Sequence, residues 1–253
     1  YTEANKLRLK QYIPIKYYFD VVSIQFALHY FFKDEITLRT ILQNINDSLK
    51  NNGYFIGTCF SGDRVFEALK NKKEIKGVRG TDDIIWKITK LYKGSKFEQN
   101  KSNLGKEIEV FIKSIGIKHI EYLVNFTYLD EIMTEYGFEK VLVRSFEEEY
   151  NNLKKNNNIN DITISDVEKE FSFFNNLFIY KKVSNSPINL YTKLIKLISK
   201  NETIKYKNKL KGVDSNVVSQ ETEDLIENIE SITKNNEGSN LNYQIESDLD
   251  DDV

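Results

Sequence analysis

Phe19-Asp-Val-Val-Ser-Ile24 and Tyr54-Phe-Ile-Gly-Thr58, with the segment that joins them, decide how this chain folds. The first run is mostly apolar and β-branched, broken by Asp20 and Ser23, and follows the aromatic pair Tyr17-Tyr18; it reads as a buried strand. A turn region follows from His29 to Glu35. From Ile36 to Lys50 the apolar residues Leu38, Ile41, Leu42, Ile45 and Leu49 recur at spacings of three and four, which predicts an amphipathic helix. Asn51-Asn52-Gly53 supplies residue types that tolerate a left-handed helix cap, and Tyr54 to Thr58 is a second buried strand. Strand, helix, Gly-ended turn and strand make a βαβ unit, which favours a parallel sheet.

Working outward, Asp63 to Lys70 reads as a helix with Val65, Phe66 and Leu69 inward, and Asn71 to Gly80 as a charged loop. Asp83 to Tyr92 alternates in places, and Glu107 to Ile115 alternates more clearly, with Ile108, Val110 and Ile112 on one face. These two segments pair as a hairpin-like insertion around the loop Lys93 to Gly105. Tyr122 to Phe126 follows, then a helix from Leu129 to Tyr136 closed by Gly137, and a strand from Phe138 to Phe146. Asn151 to Asn160 is a polar loop, and Leu177 to Val183 is the last strand. Beyond Val183 the composition shifts, giving an expected division into residues 1–183 and 184–253. The second part reads as a linker (Ser184 to Pro187), a helix (Ile188 to Ser199), a short amphipathic segment (Asp224 to Thr233) and an acidic, disordered end at Asp248-Leu-Asp-Asp-Asp252.

Composition excludes several classes. The 253 residues carry 36 Lys and Arg against 38 Asp and Glu, a formal charge of −2, so this is no generally basic nucleic-acid coat, and any RNA contact is local. One Cys rules out a disulfide framework or a Cys-rich zinc site, and two His leave little for a His-based metal centre. The most apolar run, Val21 to Phe32, is too short to cross about 30 Å of hydrocarbon and holds Gln25 and His29. Neither a membrane span nor a signal peptide is expected, and the absence of such signals points to an intracellular protein of the cytoplasm or nucleus. The chain opens on Tyr1 rather than Met, so a fragment or processed product is expected.

Phe19-Asp-Val-Val-Ser-Ile-Gln-Phe-Ala-Leu-His-Tyr-Phe-Phe32 resembles the strand-four motif of the mRNA cap guanine-N7 methyltransferases. Gly53-Tyr-Phe-Ile-Gly-Thr58, Ser114-Ile-Gly116, and Glu121-Tyr-Leu-Val-Asn-Phe126 with its following helix and Gly137-Phe138 fit the same family in order. Gly57-Thr-Cys-Phe-Ser-Gly-Asp63 and Ser114-Ile-Gly116 are most similar to the methyltransferase domains of large-DNA-virus capping enzymes. The resemblance covers about residues 14 to 183. It implies an α/β fold: the C-terminal part of a class I (Rossmann-like) methyltransferase sheet with a cap-binding β insertion, followed here by a mostly disordered tail. The implied sheet is mainly parallel, with S-adenosylmethionine at the carboxyl ends of its strands.

The implied activity is methyl transfer from S-adenosylmethionine to N7 of the cap guanosine at the 5′ end of mRNA, with other capping-enzyme domains or subunits as further partners. Residue by residue, Gln25 and Tyr30 match donor-binding positions; Phe26, His29 and Tyr30 match the lining of the cap guanine site; Glu121 matches the acid that reads the guanine. Asn175, beside Phe173 and Phe174, falls where the family has a late cap-site tyrosine, a departure at the far wall. The family's Gly-rich donor turn and its ribose-holding acid are expected upstream of Tyr1, since residues 1 to 50 hold no Gly, so this polypeptide alone is expected to bind the donor weakly.

Chemistry agrees with these roles. A carboxylate offers two acceptors to the adjacent N1–H and N2–H₂ donors of guanine. Methylation makes the purine cationic, and aromatic faces favour a cationic ring. N7 has a free lone pair, so the mechanism is proximity in a dry pocket, with no catalytic acid or base and no metal. Outside their motifs these residues read blandly: His29 as a structural or surface group, Tyr30-Phe31-Phe32 as core, Glu121 as a solvated acid, Cys59 as a small buried side chain, and Lys70 to Arg79 as a solvated loop in reach of RNA phosphates. Two alternatives stand beside catalysis: a non-catalytic methyltransferase-like subunit that binds capped RNA or a capping-enzyme partner, and methylation of another substrate by a related fold. Presence of Gln25, His29, Tyr30 and Glu121 together favours the cap enzyme.

Overall fold

Two strands run side by side in the same direction: β1 (Phe19–Gln25) and β2 (Leu49–Phe60), in register from Val21 opposite Tyr54 to Gln25 opposite Thr58. The computed structural model, which describes residues 18–155 and 164–210, joins them through a 3-10 helix (Leu28–Lys33) and α1 (Glu35–Ser48), the expected βαβ unit. Asp34 caps α1 by accepting from the Thr37 N–H at 2.8 Å. Its other end differs from expectation. The helix passes straight into β2 at Leu49, and Asn51-Asn52-Gly53 lies inside that strand as an irregularity, with Asn52 at φ +68°. Asn bonds locally in the left-handed region and so tolerates it, which is why a bulge and a cap look alike in sequence.

β8 (Asn175–Lys182) lies antiparallel on β2, and β7 (Phe138–Ser145) antiparallel on β8, giving the order β1-β2-β8-β7. Among the described residues, then, only β1–β2 shows the parallel pairing that was expected to dominate. The chain reaches β8 beside the end of β2, where the Ser61 N–H donates to the Phe174 carbonyl at 2.8 Å, and can only run back along it.

A second sheet is fully antiparallel: β3 (Glu74–Arg79), β4 (Asp83–Lys90), β5 (Glu107–Ile112) and β6 (Lys118–Tyr122), in sequence order. It contains the expected pairing of β4 with β5. It also contains β3, where a charged loop was expected. Glu74, Lys76 and Arg79 face solvent while Gly77 is buried, so the charge run concealed a strand with one wet face. A similar correction applies at Asn151 to Asn160: residues through Lys155 belong to α4 (Phe146–Lys155), and residues 156–160 lie outside the described residues. Three Glu in its first turn and two Lys in its last oppose the helix dipole, so its polarity supports a helix on the surface. α5 (Asp166–Ser172), unexpected from composition, is set by a capping box between Ser165 and Glu168.

The first sheet packs on α1 and α3 (Phe126–Glu135) through Leu38, Leu42, Phe55, Ile132, Met133 and Phe178. α2 (Gly62–Ala68) packs Val65 and Phe66 with Trp86, Ile88 and Val110 of the second sheet. Gly137, at φ +77°, closes α3 as expected, pressed against the Ser184 carbonyl with no room for a side chain. Buried Lys182 donates to the Asn46 and Leu49 carbonyls at 2.7 and 2.8 Å, capping the end of α1. Asn46 and Gln43 hold Ser184 and Ser186, so the Ser184 to Pro187 segment is tied to α1. Contacts divide the chain into residues 1–191 and 192–253; α6 (Ile188–Leu210) begins in the first unit and extends past the expected Ser199. The Asp224 to Thr233 segment and the acidic end expected to be disordered lie outside the described residues. No helix among the described residues is long and apolar enough to cross a membrane.

Candidate functional site

At the carboxyl ends of β1 and β2 the two sheets face each other across a cavity of about 490 Å³. One wall is the turn after β1: Phe26, His29 and Tyr30. The floor takes Cys59 and Phe60 from the end of β2 and Asn175 from the start of β8. The opposite wall is Val110 and Ile112 of β5, Ile115 of the hairpin, and His119 and Glu121 of β6, with Phe171 of α5 alongside.

The first wall is shaped by one unusual residue. Phe26 has φ +51°, a conformation that costs a side chain with a Cβ roughly 1–2 kcal/mol. Its N–H donates to the Thr58 carbonyl at 2.8 Å, and its ring meets Phe146 edge-on with centroids 6.2 Å apart. Strain of this kind collects at functional sites, where surrounding structure can hold it. The reversal leaves the Phe26 ring 55% exposed and turns the following 3-10 helix so that Leu28 and Phe32 enter the core. His29 and Tyr30 then face the cavity, their rings 4.2 Å apart.

The second wall is ordinary β geometry. Val110, Ile112, His119 and Glu121 all face the cavity because they alternate along paired strands, with Val110 opposite His119. Glu121 is only 9% exposed and His29 only 4%. His29 Nδ1 and Glu121 Oε2 are 3.6 Å apart, beyond hydrogen-bond range, so attraction does not offset their burial. Desolvation pushes the Glu121 carboxyl up to about 7. Desolvation, and then the nearby His119, hold the His29 imidazole down to about 4. Between about pH 4 and pH 7 the two therefore sit mainly as neutral groups, despite an arrangement that resembles an ion pair. His29 Nε2 is buried with no hydrogen-bond partner in the protein. Burial, followed by Glu121, keeps the Cys59 thiol protonated.

A site with aromatic and aliphatic walls, one carboxyl and one unpartnered imidazole nitrogen suits a flat heteroaromatic ligand that has adjacent N–H donors and an acceptor. Phe26, His29, Tyr30, Glu121 and Asn175, nominated from sequence, all line this one cavity. Gln25 does not line it. It stands exposed just outside, at the end of β1, accepting from the Thr58 hydroxyl at 2.8 Å and donating to the Ser23 hydroxyl at 2.9 Å. Phe173 and Phe174, next to Asn175 in sequence, pack elsewhere: Phe173 on Tyr150, and Phe174 on Phe60 and Trp86. Phe171 lines the cavity, its ring 5.4 Å from that of Trp86.

Residues 3–183 match the family model described as the mRNA (guanine-N(7))-methyltransferase domain. The chain belongs to this family. Among relatives of the guanine-N7 methyltransferase domain, a probable mRNA-capping enzyme of Acanthamoeba polyphaga mimivirus is 31% identical over 140 residues, 53% of this chain and 12% of that protein. An mRNA cap guanine-N(7) methyltransferase of Caenorhabditis briggsae is 33% identical over 151 residues, 59% of this chain and 38% of that one. The chain thus spans well under two thirds of either relative. A solved S-adenosylmethionine-dependent methyltransferase from Clostridium acetobutylicum superposes with a TM-score of 0.40 at 13% identity, over 72% of this chain and 70% of that chain, too loosely to argue from.

Sequence reasoning passed over His119, Ile115 and Phe171 in a chain of this guanine-N7 methyltransferase family. His119 was within reach, since it stands two residues before Glu121 and so shares its face. The Ser165-x-x-Glu168 pattern signalled α5, and with it a helix carrying Phe171.

Proposed function

We propose that this chain forms the guanine-reading part of a cap guanine-N7 methyltransferase, acting on the 5′ end of capped mRNA with S-adenosylmethionine as methyl donor. One observation carries the reading: Glu121, nearly a hundred residues downstream, lines the same cavity as Phe26, His29 and Tyr30. In its ionised form Glu121 would accept from guanine N1–H and N2–H₂. Neutral His29, with its proton on Nε2, would donate to O6, ending the isolation of that buried atom. Phe26 and Tyr30 would cover the ring faces and favour the cationic product.

S-adenosylmethionine, when bound, supplies an electrophilic methyl on sulfur. Gln25 and Tyr30 are the described residues that would face it, and Gln25 stands exposed at a strand's carboxyl end, where open α/β sheets bind ligands. The N7 lone pair attacks directly, so this chain's residues orient the purine and exclude water; none has to move a proton, and the chemistry calls for no metal. Other capping-enzyme domains are the natural partners.

The single tryptophan reports on the site, because Trp86 packs against the cavity residue Phe171. Titrating its fluorescence with the dinucleotides GpppG and ApppA tests guanine recognition. Saturable binding of GpppG, at least about 50-fold tighter than ApppA, is expected from two charge-assisted hydrogen bonds. Equal affinities would overturn the reading.

A further inference from the structure

The cavity has a gradient of exposure along β6. Glu121 is buried at the inner end, His119 is half-buried, and the hairpin tip beyond is open, with Ile115 53% exposed. Two residues along a strand advance about 6.6 Å, so His119 stands one step nearer the mouth than the carboxyl. If Glu121 holds the Watson–Crick edge of guanine, the parts of the ligand beyond the base reach the mouth. In a cap those parts are the ribose and a triphosphate bridge bearing several negative charges.

The described lining contains no lysine or arginine. The lysines nearest in sequence to this wall are engaged elsewhere: Lys118 pairs with Glu109 at 2.8 Å, and Lys113 pairs with Asp83. His29, held neutral by burial, offers no charge. His119 is thus the one lining side chain that is partly open to solvent and carries a ring N–H to donate to an anion.

We propose that His119 is a binding contact for the 5′–5′ triphosphate bridge, separate in function from the base-reading residues. This rests on the cavity being the guanine site. It gives the site two recognition tiers: the base is read at Glu121, and the phosphorylated state of the nucleoside at His119.

The test compares guanosine with GpppG on the full chain, by Trp86 fluorescence at pH 6.5, for the native protein, His119→Ala and His119→Lys. Loss of a charge-assisted hydrogen bond should weaken GpppG about tenfold in His119→Ala and leave guanosine within about twofold. His119→Lys should restore most of the GpppG affinity. Equal losses for both ligands would make His119 part of the base pocket and overturn the proposal, as would no loss for either, or a lysine variant as weak as the alanine. If the native protein binds neither ligand, the guanine reading falls and takes this one with it, an outcome distinct from binding that ignores His119. Unchanged thermal midpoints across the variants, expected at a half-buried position on an edge strand, keep the comparison one of binding.

Discussion

The wall after β1 takes Phe26, His29 and Tyr30 from one short stretch of chain, turned to the cavity by a left-handed residue and a 3-10 turn, whereas the wall opposite takes alternate residues from β5 and β6. The first stores backbone strain and presents exposed rings. The second is relaxed and presents the buried carboxyl. On the proposed reading, the exposed rings of the strained wall would set how a flat ligand lies, and the carboxyl of the strand wall would do most to select it. Substitutions in the two should separate accordingly.

The largest effect is expected on the strand wall. Glu121→Ala should weaken GpppG about 100-fold and erase its advantage over ApppA, because two charge-assisted hydrogen bonds vanish. Glu121→Gln should do nearly as much, since an amide presents one donor where guanine also presents donors. Retained guanine preference in both variants would break the assignment of polarity to this wall.

Next comes the strained wall. Phe26→Gly should weaken GpppG about tenfold through loss of the ring. The same substitution should leave the fold as stable or up to about 1 kcal/mol more stable, because Gly adopts φ +51° without penalty. Denaturant unfolding measures the second half; a large loss of stability would show that the ring serves the fold instead of the ligand.

These contrasts also mark what the sequence could and could not disclose. Alternation placed Val110 and Ile112 on one face, and the spacing of α1 gave its buried side, because both follow from backbone periodicity. The convergence of Glu121 on the β1 turn came only through resemblance, since no periodicity links residues nearly a hundred apart. The conformation of Phe26 was illegible: nothing in Gln25-Phe26-Ala27 marks a left-handed residue, and the constraint comes from Thr58 on the neighbouring strand. β3 was missed because charges on a wet strand face look like loop composition. That Phe171 joins Asn175 at the cavity depends on how α5 packs on Trp86, a tertiary fact.

A smaller effect concerns pH, and again the walls differ. Glu121 carries a pKa raised from 4.5 to about 7, so its contribution to stability is full below about 4.5 and is lost as pH rises through 7. His29 is lowered from 6.5 to about 4, so its contribution is full above 6.5 and lost as pH falls towards 4. Between 4.5 and 6.5 the two oppose; above 6.5 only Glu121 of the pair titrates. From pH 6.5 to 8 stability should therefore decline slightly while GpppG affinity rises about fourfold, the gain in ionised Glu121. Both slopes should flatten in Glu121→Gln, measured by thermal midpoint and by titration. A binding slope that survives that substitution would show that Glu121 is not the group whose ionisation governs binding.

The smallest effect sharpens what the strained wall does. Tyr30 is 44% exposed, with its ring against His29 at 4.2 Å. If its face stabilises a purine that gains positive charge at N7, the ring matters and the hydroxyl does not, because the attraction comes from the quadrupole of the π-system. Tyr30→Phe should then keep GpppG within about twofold and preserve any preference for the N7-methylated dinucleotide over the unmethylated one. Tyr30→Leu keeps apolar area but has no quadrupole, so it should hold the unmethylated ligand nearly as well and lose the preference for the methylated one, a difference of about 0.5–1 kcal/mol. The ratio of the two affinities, taken from the same titration in the three proteins, isolates that term from packing. A ratio equal in all three would reduce Tyr30 to a spacer and leave Phe26 as the ring that senses charge.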